Sequence, residues 1–222
     1  MSDDHVPETK RVIAFVDGMN LFNAVKAEWH YNFPNYDVSK LADAIGEMNA
    51  TKGWNRPNVR FYTGIPNPQR DPDRSAFWRR KVDAMRKAGV HVFTRSLRYR
   101  AQKFRCANCD VDQRITCVNC GFERDDRGQE KGIDVRIAID VVKLARANEY
   151  DVAIIFSQDQ DLSEATDEVK SIARENKRWI SIVTAFPEQS DKTLDRGIDG
   201  TDWVRFNKKT YDKCIDPVDY RG

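Results

Sequence analysis

The chain has 222 residues, 40% hydrophobic and 32% charged, with 37 Lys and Arg set against 35 Asp and Glu for a net charge of +2. That length buries one substantial core, and so small a net charge names no partner, so any specificity must come from local clusters. No apolar run is long enough to span a bilayer, and the polar start MSDDHVPETK lacks the apolar segment of a secretory signal; the expectation is a cytoplasmic protein with no membrane partner.

In chain order, residues 1–10 are expected to be a flexible N-terminus. RVIAFV at 11–16 is a buried strand and 21–29 has helical character. Residues 38–48 form a second helix, with Leu41, Ala42, Ile45 and Met48 at helical spacing. A strand at 59–62 leads into a loop over 64–73 rich in Pro and polar residues. A helix over 77–87 follows, with Gly89 where a helix-terminating glycine is expected, then a strand at 90–94. The remaining elements are a strongly apolar helix at 133–146, the most apolar strand at 152–156, a helix at 162–176, a strand at 179–184 and a short last strand at 203–206. This alternation predicts an α/β sandwich with a mostly parallel sheet, in one domain over 11–222. The irregular stretch from about 97 to 130 is too long for a connector and reads as an inserted subdomain.

In an open parallel sheet, ligands sit beyond the carboxyl ends of the strands where the strand order reverses. Asp17 follows the first strand and Asp159 follows the strand at 152–156, so neighbouring strands would bring the two together. Asp161 lies two residues further on, and Asp134 sits on the first turn of an otherwise apolar helix, an expensive place for an unpaired charge. Clustered carboxylates repel, and a hard divalent cation relieves the repulsion. Mg²⁺ or Mn²⁺ suits carboxylate and water oxygens and points to metal-assisted phosphoryl transfer. Asn20 and Ser157 are neutral groups that could orient a carboxylate or a bound water. Taken singly, Asp17, Ser157, Asp159 and Asp161 are also ordinary helix caps, and Asp134 suits a helix N-terminus through the dipole; only the joint pattern speaks for a site. Asp140, six residues after Asp134, points about 120° away on an ideal helix, a place for a salt bridge or for support of Lys131 or Lys143.

These residues resemble the NYN domain family, the PIN-like nucleases that include the LabA-like proteins. FVDGMNL (15–21) is similar to the family's opening strand and D-G-x-N, KGIDVRIAID (131–140) to its K-G-x-D-V helix, and FSQDQDL (156–162) to its S-G-D-S-D-F turn, with Gln158 in place of the glycine and Leu162 in place of the phenylalanine. The resemblance covers roughly 11–185. It implies a PIN-like three-layer α/β/α sandwich, a divalent metal and ribonuclease activity, with Asp17, Asp134, Asp159 and Asp161 on the acidic metal site and Asn20 and Ser157 beside it.

The insert carries Cys106, Cys109, Cys117 and Cys120, two C-x-x-C pairs that together could give four thiolates to one tetrahedral Zn²⁺. Such a site has no open position and would fold the insert rather than catalyse; iron in the same ligands, or a redox pair, is the alternative. Cys214 stands alone as a free thiol. Upstream, RSLRYRAQKFR contains Arg95, Arg98, Arg100, Lys103 and Arg105 with Tyr99 and Phe104 interleaved and no acid, a pattern in which cations track phosphates and aromatics stack on unpaired bases. Lys131 could add a phosphate contact. A second group, FWRRK with Arg79, Arg80 and Lys81, reads as a solvated basic face around a buried Trp78. His5, His30 and His91 lie outside the motifs.

The leading expectation is a Mg²⁺- or Mn²⁺-dependent ribonuclease acting on RNA, single-stranded by the aromatic strip. The alternative is a non-catalytic nucleic-acid-binding or regulatory protein on the same fold. A nucleotide-sugar transferase using DQD leaves Asp17 and Asp134 unexplained, and a phosphoaspartyl phosphatase needs an Asp where Met19 stands.

Overall fold

The computed structural model describes residues 6–99, 103–114, 116–121, 128–191, 193 and 195–221. In chain order its elements are β1 (Val12–Asp17), α1 (Gly18–Trp29), α2 (Val38–Met48), β2 (Asn58–Ile65), α3 (Pro72–Lys87), β3 (His91–Ser96), β4 (Arg98–Tyr99), β5 (Lys103–Arg105), β6 (Asp112–Arg114), β7 (Gly128–Gln129), α4 (Ile133–Arg146), β8 (Val152–Phe156), α5 (Ser163–Glu175), β9 (Ser181–Pro187), β10 (Asp202–Phe206) and α6 (Lys208–Lys213). Single 3₁₀ turns stand at Ala50–Lys52 and Gln160–Leu162.

β1 and β8 are buried at every residue, which fits them only for the middle of a sheet covered on both faces. They pair with each other, Val12 beside Val152 through Val16 beside Phe156. The main sheet runs β3-β2-β1-β8-β9-β10, and every pairing in it is parallel. Counting only these six strands, the order is that of a doubly wound fold, and it reverses between β1 and β8.

Successive strand residues feed two cores. Val12, Ala14 and Val16 face one layer with Val25 of α1, Leu41 and Ile45 of α2, and Val82 of α3. Ile13 and Phe15 face the other with Ile137 and Val141 of α4 and Val169 and Ile172 of α5. The result is the three-layer α/β/α sandwich. Its helices begin where capping chemistry allows: Asp17, Asp37 and Asp71 accept backbone N–H groups at the starts of α1, α2 and α3, and Pro72 opens α3. α3 therefore starts ahead of the apolar pattern at 77. α6 escapes the periodicity altogether; Tyr211 holds it down among Trp29, Tyr31 and Tyr36.

The insert leaves the carboxyl end of β3 and returns to the start of α4. β4 pairs antiparallel with β7, and β5 with β6. One sequence expectation changes here. Lys81 is buried rather than solvated: its ammonium donates to the Tyr36 carbonyl at 2.8 Å and reaches Asp216 at 3.4 Å, anchoring the C-terminal segment. Trp78, as expected, is in the core, 2% exposed. Cys214 is a buried free thiol, pushed up to about 11 by burial. Among the described residues no helix is long and apolar enough to cross a membrane.

Candidate metal-binding active site

The reversal between β1 and β8 places two loops side by side. Asp17 ends β1 and caps α1, its Oδ1 accepting the Asn20 N–H at 2.9 Å. Beyond β8, the Ser157 hydroxyl oxygen accepts the Asp159 N–H at 3.2 Å, and the Asp159 carboxylate accepts the Asp161 N–H at 3.1 Å. Asn20 ties the loops together: its Oδ1 accepts the Gln158 N–H at 2.9 Å. Asn20 is thus a strap between the two acidic loops, with its side-chain oxygen spent on that bond. Gln158, in the family's glycine position, is pinned through its own amide, which donates to the Arg196 carbonyl and accepts from Gln189.

α4 supplies the third element. It starts at Gly132, whose φ of +74° lies in the left-handed region that glycine tolerates, and no side chain caps it. Asp134 sits on its first turn. Asp134, Asp159 and Asp161 each offer a carboxylate oxygen within 4.8 Å of the others, the one such acidic grouping among the described residues. Asp17 stands outside this trio but feels the charge of Asp159. Only 7% exposed, it is pushed up to about 7, first by burial and then by the carboxylates of Glu130 and Asp159, against the relief of N–H bonds from Asn20 and Met19.

Glu130 is the residue the sequence reading missed. It accepts from the Gly64 N–H and, at 3.4 Å, from the Thr63 hydroxyl, at the carboxyl end of β2. Burial pushes its pKa up, those two bonds lower it, and Asp134 raises it further. Position 64 has to be glycine here, because a Cβ would overlap Leu97 and the Glu130 side chain. The available signal was a fifth acid four residues ahead of Asp134, in EKGID. Among the described residues, no Lys, Arg or His forms an ion pair with Asp17, Glu130, Asp134, Asp159 or Asp161.

Asp140 does something else. It is buried, accepts the Tyr62 hydroxyl at 2.9 Å and pairs with Arg136 at 2.9 Å and Arg60 at 3.4 Å. It braces α4 against β2, and its partners are these two arginines and the tyrosine rather than Lys131 or Lys143. Lys131 is exposed, and its carbonyl accepts from Arg95 at 3.3 Å.

The basic strip divides. Arg95 and Arg98 are exposed close to the start of α4. Tyr99 is not an open stacking platform: the Arg70 guanidinium lies 4.8 Å from its ring centre, and its hydroxyl oxygen accepts the Asn67 N–H. Arg105 forms a two-bonded pair with Asp110 at 2.6 Å. Arg100, like the side chains of Lys103 and Phe104, lies outside the described residues. The cysteines form two turns of one design. The Asp110 N–H donates to the Cys106 carbonyl with Asp110 at φ +58°, and the Gly121 N–H donates to the Cys117 carbonyl with Gly121 at φ +71°. In each turn, N–H groups of the next residues and the second thiol lower the pKa of the first cysteine. The structure brings Cys106 to Cys109 and Cys117 to Cys120; the two pairs do not join into one four-sulfur group.

A family model described as the NYN domain matches residues 11–196. The chain belongs to the NYN domain family. The six-stranded parallel sheet and its acidic edge are the PIN-like, nuclease-type architecture of that domain. No curated protein matches the chain in sequence. Among solved structures, this NYN domain is similar to VPA0982 of Vibrio parahaemolyticus RIMD 2210633, a protein of unknown function, with 18% identity over 94% of this chain and 97% of that one and a TM-score of 0.52. A Sir2 homologue in complex with ADP ribose is more distant, with 11% identity, 90% and 92% coverage and a TM-score of 0.30.

Proposed function

We propose that this NYN domain is a divalent-cation-dependent ribonuclease that hydrolyses phosphodiester bonds of single-stranded RNA at the acidic edge of its sheet. One observation carries the reading: Asp134, Asp159 and Asp161 converge within 4.8 Å, next to Asp17 and Glu130, with no ion-paired cation on them among the described residues. Hard oxygen donors without His or Cys fit Mg²⁺ or Mn²⁺, which Asp134, Asp159 and Asp161 would hold with Asp17 behind them. When bound, such an ion supplies Lewis acidity toward the phosphate and lowers the pKa of water. The chain's own contribution is placement. Ser157 and Asn20 set the register of the 157–161 loop, and Glu130 locks the end of β2 to the start of α4. Lys131, Arg95 and Arg98 contact phosphates on either side of the bond.

The same reading assigns the insert one structural Zn²⁺, which would draw the Cys106/Cys109 and Cys117/Cys120 pairs, separate in the structure, onto one ion. The thiol chemistry fits: both turns stabilise a thiolate on their first cysteine, and four thiolates are a closed zinc set. Its role is to fold the insert.

Labelled single-stranded RNA, incubated with the protein in Mn²⁺, in EDTA, and with the Asp159→Asn variant, tests the activity. Cleavage is expected in Mn²⁺ alone. RNA that binds without being cut in Mn²⁺ would overturn the ribonuclease and favour the non-catalytic binder.

A further inference from the structure

α1 presents two neighbouring stripes to two clefts. Asn20, Ala24 and Ala27 face a cleft of about 340 Å³ shared with Gln158, Gln160 and Gln189. Asn23 borders both clefts, and the other amides of this one are already engaged: Gln158 and Gln160 donate to the carbonyls of Arg196 and Gly197, Gln189 donates to Gln158, and Asn20 accepts from the Gln158 N–H. Met19, Phe22, Asn23 and Lys26, at helical spacing, face a larger cleft of about 590 Å³. Its opposite wall is the first two turns of α3. Both helices follow strands of a parallel sheet, so both start at its carboxyl edge, the edge that bears the carboxylates, and the cleft runs from Met19 near that edge along α1 to Lys26 in its last turn.

The floor of this cleft is aromatic. Phe22, Phe77 and Trp78 are buried, with Phe77 edge-on to Trp78 at 5.4 Å. Phe33 is half-buried, edge-on to Phe77 at 6.4 Å, and the Arg221 guanidinium lies 4.1 Å from its ring centre. The rim is polar and partly unengaged. Lys26 is exposed and forms no ion pair among the described residues, and the side-chain amides of Asn23 and Asn32 make no hydrogen bond there. Arg74 also lines the rim, in an exposed pair with Asp71 at 3.3 Å; Arg221 is paired with Asp219; Asp73 is the one acid in the lining. Cations therefore outnumber carboxylates in this lining, beside a site where carboxylates prevail.

We propose that this cleft is a base-binding subsite for single-stranded nucleic acid, holding a nucleotide next to the one whose phosphate is at the acidic edge. The inference rests on the nuclease reading and names where the strand goes. A flat ring enters among Met19, Phe22 and Phe33 and extends the aromatic stack, as bases do on aromatic and guanidinium planes. Asn23 and Asn32, each with two donors and an acceptor, meet its edge. Lys26 and Arg74 take the adjoining phosphate. Lys26 is about 13 Å along α1 from Asp17, a reach that neighbouring nucleotides of one strand span. Duplex is excluded, because a paired base cannot enter a cleft between two helices.

The test is binding of a short fluorescein-labelled oligouridylate in EDTA, followed by anisotropy, with a matched set carrying one abasic ribose at successive positions. Asn23→Ala/Lys26→Ala changes two exposed side chains, and Phe33→Leu keeps an apolar group while removing the ring. The wild type should bind the intact strand and lose roughly tenfold in affinity when the base is missing at one position. Both variants should bind the intact strand roughly tenfold more weakly and be indifferent to that missing base. Wild-type affinity in both variants, equal loss for every abasic position, or no binding by the wild type would each overturn the subsite. Cleavage in Mn²⁺ by the same proteins separates the two readings. A wild type that binds with base dependence but never cuts keeps the subsite and ends the nuclease. A wild type that cuts, with variants unchanged in binding, ends the subsite alone.

Discussion

β1 and β8 run side by side, and their two ends treat buried aspartates in opposite ways. At the amino end Asp151, just ahead of β8, is 6% exposed. Arg11 holds it through its backbone N–H at 2.9 Å, its Nε at 3.0 Å and its Nη2 at 2.8 Å, and Arg178 stands at 3.7 Å. Burial pushes Asp151 up, but the hydrogen bonds and charge of the two arginines outweigh it and hold its pKa below the ordinary value. At the carboxyl end Asp17 is 7% exposed, has N–H partners and no cation, and is pushed up to about 7. Solvent exposure is similar, but Asp17 is enclosed more deeply by the protein and lacks the arginines that Asp151 has, so depth and compensation together set the opposite shifts. One end of the sheet is finished by the protein itself. The other leaves negative charge for a ligand to neutralise.

The largest expected effect separates the two ends by activity. Asp134→Asn and Asp159→Asn should each lower RNA cleavage in Mn²⁺ by about a hundredfold or more, while melting in EDTA occurs no lower than in the wild type, since repulsion is relieved. Asp151→Asn should do the reverse. It removes the carboxylate between Arg11 and the half-buried Arg178, which keeps its bonds to the Ala145 and Tyr150 carbonyls, and should cost about 2 kcal/mol by urea unfolding, discounted because Arg11 is half-exposed, with RNA cleavage retained by the folded protein. Equal activity losses at both ends would dissolve the contrast.

The second effect is in pH. Asp17 has a folded pKa of about 7, above the unfolded value of about 3.9, so its contribution to stability is fully present below about pH 4 and is lost as pH rises through about 7. Metal-free wild-type protein should lose stability between about pH 4 and about pH 7, by at most on the order of 4 kcal/mol, and Asp17→Asn should lose less. Mn²⁺ should stabilise the wild type more at the upper end of that range, where it no longer competes with the proton. Parallel pH curves for the two proteins would show that Asp17 is not the titrating group.

Glu130→Gln is subtler. The amide oxygen can still accept from Gly64 and Thr63, so the fold should hold, while one charge beside Asp134 is gone. Mn²⁺ should bind roughly tenfold more weakly by calorimetry, the size of effect expected of a residue that supports a ligand without being one. An unchanged affinity would assign Glu130 to structure alone. Smallest of all, Arg95→Ala/Arg98→Ala should weaken RNA binding and lower the salt slope by about two without collapsing the rate at saturating RNA. Zinc removal should reproduce part of that defect, because the insert grows from the same edge. An unchanged slope with a lost rate would move these arginines into the chemistry.

Much of this was written in local sequence. Apolar runs bounded by Asp, Gly and Pro marked all six core strands, and the spacing in α2 and α4 marked their bounds, because a strand covered on both faces and an amphipathic helix are set by residue order. The acids after β1 and β8 were legible for the same reason: a doubly wound sheet brings strand ends together, and Asp134 stood out as a charge in an apolar helix. Glu130 was not, because it matters only through Gly64, 66 residues earlier and across the start of α4. Asp140 and Asp134 look alike in sequence; Arg136, one turn back on α4, pairs with Asp140, and packing against β2 adds Arg60 and Tyr62. Tyr99 looked free until the 64–71 loop folded over its ring. The cysteine spacing offers two pairs of thiols, whereas whether the pairs meet is decided only by how the two turns pack. The cleft between α1 and α3 exists in neither helix: its two stripes are ordinary amphipathic edges until the sheet sets them side by side.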